Sequence, residues 1–138
     1  MLNLRSRLGR RVDRRLRREQ ILWFTTVDRR GTPQPRPVWF HWDGRTALIF
    51  SEPGTAKVRH LQRRRRVAVH LNTDVAGGEV AVLTGEARIL RAPPAAARVR
   101  AYLLKYRQGL SDLETSSEQF RRDYSVPILF TPRRLRGF

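Results

Sequence analysis

Ser51, Thr55 and Lys57 fall within seven consecutive residues of the stretch IFSEPGTAKVRHLQRRRR, Ile49 to Arg66. Two hydroxyls and an ammonium so closely spaced are phosphate ligands if the chain between them turns sharply, and Pro53 and Gly54 provide that turn. Thr55 occupies a favourable N-cap position for a helix running to about Arg64. Unbonded backbone N–H groups and the positive end of the helix dipole would then gather beside the three side chains. A charge-assisted hydrogen bond in such a cradle contributes roughly 1.5 to 3 kcal/mol, and the helix end roughly 0.3 to 1 kcal/mol. The plainer reading of the same residues is a turn, a cap and a solvated lysine. The spacing alone leaves both open, and the run Arg63 to Arg66 adds a third use, contact with nucleic acid.

No other chemistry is visible in the residue pattern. His41, His60 and His70 are scattered without metal-ligand spacing, so no metal is expected. The chain has no cysteine, which removes disulfides, thiolate zinc sites and a cysteine nucleophile together. The twelve acids stand mostly alone, and no nucleophile elbow, Walker loop or dinucleotide fingerprint occurs. No catalytic residue is therefore assigned. Hydride and electron transfers fit this silence, because a cofactor supplies them while the protein binds and orients it.

Charge is the most conspicuous property of the composition, +17 over 138 residues. Such a field attracts polyanions in dilute salt whatever the protein's role, so it is weak evidence for a nucleic-acid function. The cations are 27 arginines against Lys57 and Lys105 alone, a skew better explained by a GC-rich genome or a hot habitat than by phosphate contacts, which either residue makes. No specific nucleic-acid partner is expected. No apolar run approaches the roughly 18 residues that span a bilayer, and the N-terminal stretch lacks a signal-peptide core. The expectation is a soluble cytoplasmic protein without a membrane partner, folded as one domain over 1–138 with a basic amphipathic helix at 1–19.

The elements that would position the candidate residues follow from periodicity. Leu4, Leu8, Val12 and Leu16 form one apolar stripe on that helix, suited to docking on the protein's own sheet. From Gln20 the period shortens to that of strands, with ILWFTTVD the first. PQPRPVWFHWDG follows, and Pro33, Pro35 and Pro37 predict an edge or loop before Val38 to Trp42 can pair. Asp43 to Arg45 predicts a tight hairpin into TALIFS, so the three segments read as an antiparallel meander. VAVHLNTD and EVAVLTGEARIL form a second hairpin, with Gly85 marking a bulge or close backbone approach. A helix from the prolines at 93–94, carrying Val99, Tyr102, Leu103 and Tyr106 on one side, a second helical stretch in SDLETSSEQFRRDY, and a last strand in VPILFTPRRLRGF complete the chain. The fold class is mainly β with helices (α+β), a closed or nearly closed antiparallel barrel with helices over its ends.

The segments GTPQPRPVWFHWDG, TALIFSEPGTAKVRHLQRRRRVAVHL and VAVLTGEARIL, in that order, resemble the split β-barrel family of flavin and deazaflavin oxidoreductases related to pyridoxamine 5'-phosphate oxidase. The resemblance runs from about Gln20 to Phe138. The P-V-W-F strand, the E-P-x-x-A-K segment and the Arg136-Gly137-Phe138 end are most similar to the branch that uses coenzyme F420. The resemblance implies a six- to seven-stranded antiparallel split barrel and a homodimer with two cofactors at the subunit interface. It implies F420, or alternatively FMN, held at its phosphate by Arg36, Thr55 and Lys57, with Ser51 and Ala56 alongside. The ring would lie along Val38, Trp39 and Phe40, and Arg59 would meet an anionic tail. The implied reaction passes a hydride from C5 of the reduced deazaflavin to an activated double bond of a small organic substrate. The alternatives are an FMN oxidoreductase or flavin carrier of the same fold and, further off, a nucleic-acid-binding barrel. Haem-handling relatives exist, but none of the three histidines stands out as an axial ligand.

Overall fold

The change of period at Gln20 marks the passage from helix to sheet in the computed structural model, which describes residues 2–138. Helix α1 (Arg7–Arg18) starts at Ser6, whose hydroxyl accepts from the Gly9 N–H. Val12 and Leu16 are fully buried in the main core, and Leu4 and Leu8 pack against its margin. The arginines between them are not all outward. Arg15 is buried, pairs with Glu19 at 2.7 Å, and donates to the Glu79 and Asn72 carbonyls at 2.5 and 2.7 Å.

Strands β1 (Leu22–Val27), β2 (Pro33–Val38), β3 (His41–Trp42), β4 (Ala47–Ser51), β5 (Arg66–His70), β6 (Ala81–Ile89) and β7 (Val126–Gly137) form one antiparallel sheet in the order β2-β1-β5-β6-β7-β4-β3. The two edges, β2 and β3, are consecutive in the chain and separated by Trp39 and Phe40 alone. A seven-stranded sheet whose edges are joined by a dipeptide must curl on itself, which gives the split barrel. The expected meander is therefore incorrect: β1 and β2 form a hairpin, but β3 and β4 lie at the far end of the sheet, against β7.

The prolines also behave differently from expectation. Pro33, Pro35 and Pro37 lie inside β2, and pairing with β1 runs through all three. They occupy alternate positions, so the N–H groups they lack belong to the side facing away from β1, while Gln34, Arg36 and Val38 supply the ladder. Val38 to Trp42 is not one strand, since the ladder stops at the Trp39–Phe40 link.

Gly85 is the bulge the sequence predicts. The register of β6 against β7 shifts between Thr84 and Gly85, and a Cβ at Gly85 would stand 2.1 Å from the Thr131 carbonyl oxygen. Asp43 closes the β3–β4 hairpin by accepting from the Arg45 and Thr46 N–H groups, with Gly44 at φ 96°.

Every residue of β4 is buried, because both its faces are covered. Ala47 and Ile49 face the barrel interior with Phe24, Leu83 and Phe130. Leu48 and Phe50 face a second cluster built on helices α3 (Ala96–Lys105), α4 (Arg107–Asp112) and α5 (Ser117–Asp123). The single helical stretch expected around SDLETSSEQFRRDY is broken: Glu114 takes a positive φ of 54°, and Ser116 caps a new helix by accepting from the Gln119 N–H. Helix α2 (Ala56–Arg63) connects β4 to β5 and buries Val58 and Leu61.

Candidate functional site

The cradle forms where β4 runs into α2. Thr55 occupies the N-cap position in extended conformation, but its hydroxyl does not cap the helix. It lies 3.1 Å from Ser51 Oγ and 3.5 Å from Lys57 Nζ, leaving the N–H groups at the helix start, beginning with Ala56, without a side-chain acceptor. Ser51 is fully buried and donates to the Glu52 carbonyl at 2.9 Å, so it braces Thr55 from behind. Arg59 folds back onto the turn and donates to the Gly54 carbonyl at 2.6 Å. These contacts fix the loop in the shape the sequence suggests.

Arg36 reaches the same place from β2. Its Nη1 donates to Thr26 Oγ1 at 2.9 Å, and its charge helps hold the Lys57 ammonium below the usual lysine range, after burial as the first cause and against the opposing pull of Glu52. Burial shifts the Arg36 guanidinium downward as well. Among the described residues neither cation makes an ion pair; the three present are Arg15–Glu19, Arg17–Asp13 and Arg98–Asp43. Two adjacent, half-buried cations with no carboxylate joining them raise each other's energy, and a bound anion removes that penalty.

Lys57 lies at the margin of a cleft of about 590 Å³. Ile21, Pro37, Val38 and Trp39 line it from the strand side, and Phe120 and Tyr124 from the helical layer. Trp39 is held rigidly: its ring stacks on Tyr106 at 4.4 Å with 5° between planes, and on Phe120 at 5.8 Å. Glu52 and Asp123 bring the acidic groups of the rim. A cleft of this size with a largely apolar wall and a few charged groups is typical of small-molecule sites.

Phe40 does not join the cleft, contrary to expectation. Trp39 turns to the cleft and packs on the helical layer, whereas Phe40 points into the barrel core and is fully buried. Its backbone is also occupied: the N–H donates to Tyr106 Oη at 2.8 Å, and the carbonyl accepts from Lys105 Nζ at 2.9 Å. The structure thus brings together Arg36, Thr55, Ala56 and Lys57, with Val38 and Trp39 as the adjoining wall, Ser51 and Arg59 as braces, and Phe40 outside.

Sequence reasoning missed Phe120 and Tyr124, which come from α5 and its C-cap some eighty residues away along the chain. It also missed Thr26 and His60, whose side chains meet at 2.8 Å behind Arg36. No spacing rule reports contacts made only by the closure of the barrel. The histidines are each engaged within the fold, His41 with Arg98, His60 with Thr26 and His70 with the Leu71 carbonyl, and no group of three metal-ligating side chains occurs among the described residues.

Known structures share this architecture. An F420 reductase superposes with a TM-score of 0.69 at 20% identity, covering 90% of this chain and 94% of its own. HutZ, the haem storage protein from Vibrio cholerae, gives 0.70 at 13% identity over 96% of this chain and 95% of its own. The conserved protein Rv2991 from Mycobacterium tuberculosis gives 0.70 at 18% identity over 92% and 81%. At these identities the likeness establishes the fold. Among curated proteins none matches the sequence. The sequence profile of the pyridoxamine 5'-phosphate oxidase family matches residues 8–126, which takes in all but the first residue of α1, the Arg36 strand, the whole cradle and the aromatic lining of the cleft, and the chain accordingly belongs to that family.

Proposed function

We propose that the protein is an oxidoreductase that binds coenzyme F420, with FMN as the alternative cofactor, and acts on an activated double bond of a small organic substrate. One observation carries this reading: Lys57, which feels the unpaired Arg36 guanidinium beside it, lines the same cleft as Val38 and the flat ring of Trp39. A ligand matching both ends has a phosphate at one end and a planar ring at the other. The F420 reductase among the structural relatives supports the choice of cofactor, as does the net charge of +17, which favours a polyanionic ligand.

A bound flavin or deazaflavin supplies the hydride. The chain's own part is to bind, orient and exclude water. Arg36, Lys57, the Thr55 hydroxyl and the Ala56 N–H hold the phosphate, and the clamped Trp39 fixes the plane against which a ring lies. Phe120, stacked on Trp39, and Tyr124, stacked on Phe120, continue the aromatic lining of the cleft.

The reading includes a homodimer. The outward face of β1, β5 and β6 carries the half-buried Trp23, Thr25, Ala68, Val82 and Thr84, with Arg66 and Glu86 opposed to each other across the ladder at one end. A second copy of a strongly cationic chain docks best on a face where apolar groups predominate and the charges offset. No helix among the described residues is long and apolar enough to cross a membrane, so no membrane partner is invoked.

The test is a titration of ligand-stripped protein with F420 and with FMN at about 150 mM salt, where exposed charges are screened beyond roughly 8 Å, followed by fluorescence quenching. Saturable binding of one F420 per subunit, tighter than FMN, is expected. Lys57→Ala abolishes it, and Arg64→Ala and Arg65→Ala barely change it. Equal losses from all three sink the cradle, and failure of both cofactors beside tight filter binding of nucleic acid transfers the function to the arginine run.

A further inference from the structure

Behind the cradle, on the side away from the cleft, three side chains from three elements form a line. Arg36 Nη1 donates to Thr26 Oγ1 at 2.9 Å, and Thr26 Oγ1 lies 2.8 Å from His60 Nδ1. Thr26 is fully buried. A guanidinium only donates, so the Thr26 oxygen accepts from Arg36, and the hydrogen of this fully buried hydroxyl finds no acceptor among the described residues other than His60 Nδ1. The imidazole must then accept at Nδ1, which places its own hydrogen on Nε2. We propose that His60 is a positioning residue for anion binding: through Thr26 it fixes the rotation of the Arg36 guanidinium, so that the remaining N–H groups of the fork face Lys57 and Thr55. This rests on the phosphate-cradle reading above and adds to it the device that aims its arginine.

The surroundings of His60 favour the neutral ring that the relay needs. Arg59 and Arg63 stand on its own helix, Arg36 faces it from β2, and Arg29 and Arg30 border the same pocket from the β1–β2 turn, against Asp28 as the one opposing charge there. Burial first, then Arg36, with Arg59 and Arg63 adding to it and Asp28 opposing, hold the imidazole below its ordinary range. Protonation would turn Nδ1 into a donor. The buried Thr26 oxygen would then face two donors, and its own hydrogen would have to turn away from His60.

The position of the imidazole hydrogen is measurable without any ligand, from long-range nitrogen–proton correlations of the histidine rings. The expected result is neutral His60 protonated at Nε2, with an Nδ1 resonance that moves in Thr26→Val and stays in place in Thr26→Ser. A ring protonated at Nδ1, or one indifferent to Thr26→Val, overturns the relay. In parallel, F420 is titrated into wild type, His60→Leu, His60→Asn and Lys57→Ala. The asparagine keeps an acceptor near the place of Nδ1, so binding within about twofold of wild type is expected, against a loss of about fivefold or more in His60→Leu. Comparing wild type with His60→Asn at each pH cancels titration of the ligand, and the wild-type advantage should shrink as pH falls below 6.5. A wild-type advantage that grows instead makes His60 a mere charge and overturns the proposal, as does wild-type affinity in His60→Leu. If Lys57→Ala binds F420 normally, the cradle reading fails by itself, and the resonance experiment still decides whether the relay exists.

Discussion

Replacing Tyr106 by phenylalanine deletes one oxygen at the point where the barrel closes. That oxygen accepts from the Phe40 N–H at 2.8 Å and donates to the Gln20 carbonyl at 2.7 Å. It is deeply buried, which also keeps the phenol far above its ordinary range. The phenylalanine ring preserves the stack against Trp39, so the change isolates the hydroxyl. Leaving the Phe40 N–H buried without a partner costs about 1 to 3 kcal/mol, and losing the bond to Gln20 adds about 1 kcal/mol. The Phe40 carbonyl keeps Lys105 and adds nothing further. The expected destabilisation is about 2 to 4 kcal/mol, which for a chain of this size lowers Tm by roughly 6 to 16 °C. Urea unfolding followed by tryptophan fluorescence, with an unchanged m-value, measures it. A loss below about 0.5 kcal/mol would refute the claim that this hydroxyl clamps the Trp39–Phe40 link.

Other substitutions probe separate parts of the argument. Gly85→Ala sets a methyl 2.1 Å from a backbone oxygen and 2.8 Å from Pro132 Cα, neither able to swing aside; a loss of about 2 kcal/mol or more is expected in equilibrium unfolding. Arg15→Met strands the Glu79 and Asn72 carbonyls under α1 and should cost about 2 to 3 kcal/mol by the same measurement. Lys105, which burial lowers from 10.5 to about 8, gives a pH signature. Between these values the unfolded chain binds the extra proton, so stability rises with pH across that window relative to Lys105→Met, by about 1 kcal/mol after allowing for solvent screening. Using the difference between the two proteins cancels the tyrosines, whose ionisation acts in the opposite direction at high pH. Ala68→Arg, set in the outer face proposed for the homodimer, should give monomers by sedimentation where the wild type sediments as a dimer, while leaving the fold intact.

The sequence disclosed what depends on neighbours in the chain. The α1 stripe, the Gly85 bulge, the Asp43 hairpin and the turn into α2 are local patterns, and each has a local physical cause. The cradle was legible for the same reason, since Ser51, Thr55 and Lys57 are brought together by one turn. Strand order was not, because nothing in β2 or β3 records that β7 returns to pair with β4 and separates them. Arg36 was placed in the site by family resemblance, not by spacing. Phe40 lies in the core because the Tyr106 hydroxyl, sixty-six residues away, holds its backbone, a contact no local pattern reports. Arg15 was hidden among its neighbours, as only the β5–β6 turn carbonyls distinguish it from a solvated arginine.

The prolines of β2 have an effect beyond the strand they sit in. Hydrogen-bonding groups on the two sides of a strand alternate, and on the side facing away from β1 the donors are missing at Pro33, Pro35 and Pro37. That border therefore offers carbonyl oxygens and no hydrogens. A foreign strand arriving there finds half a ladder, and strand addition, the first step of edge-to-edge aggregation, has nothing to propagate on. Changing Pro35 alone to threonine would restore one donor in the middle of the border, the smallest change that would make this edge adhesive.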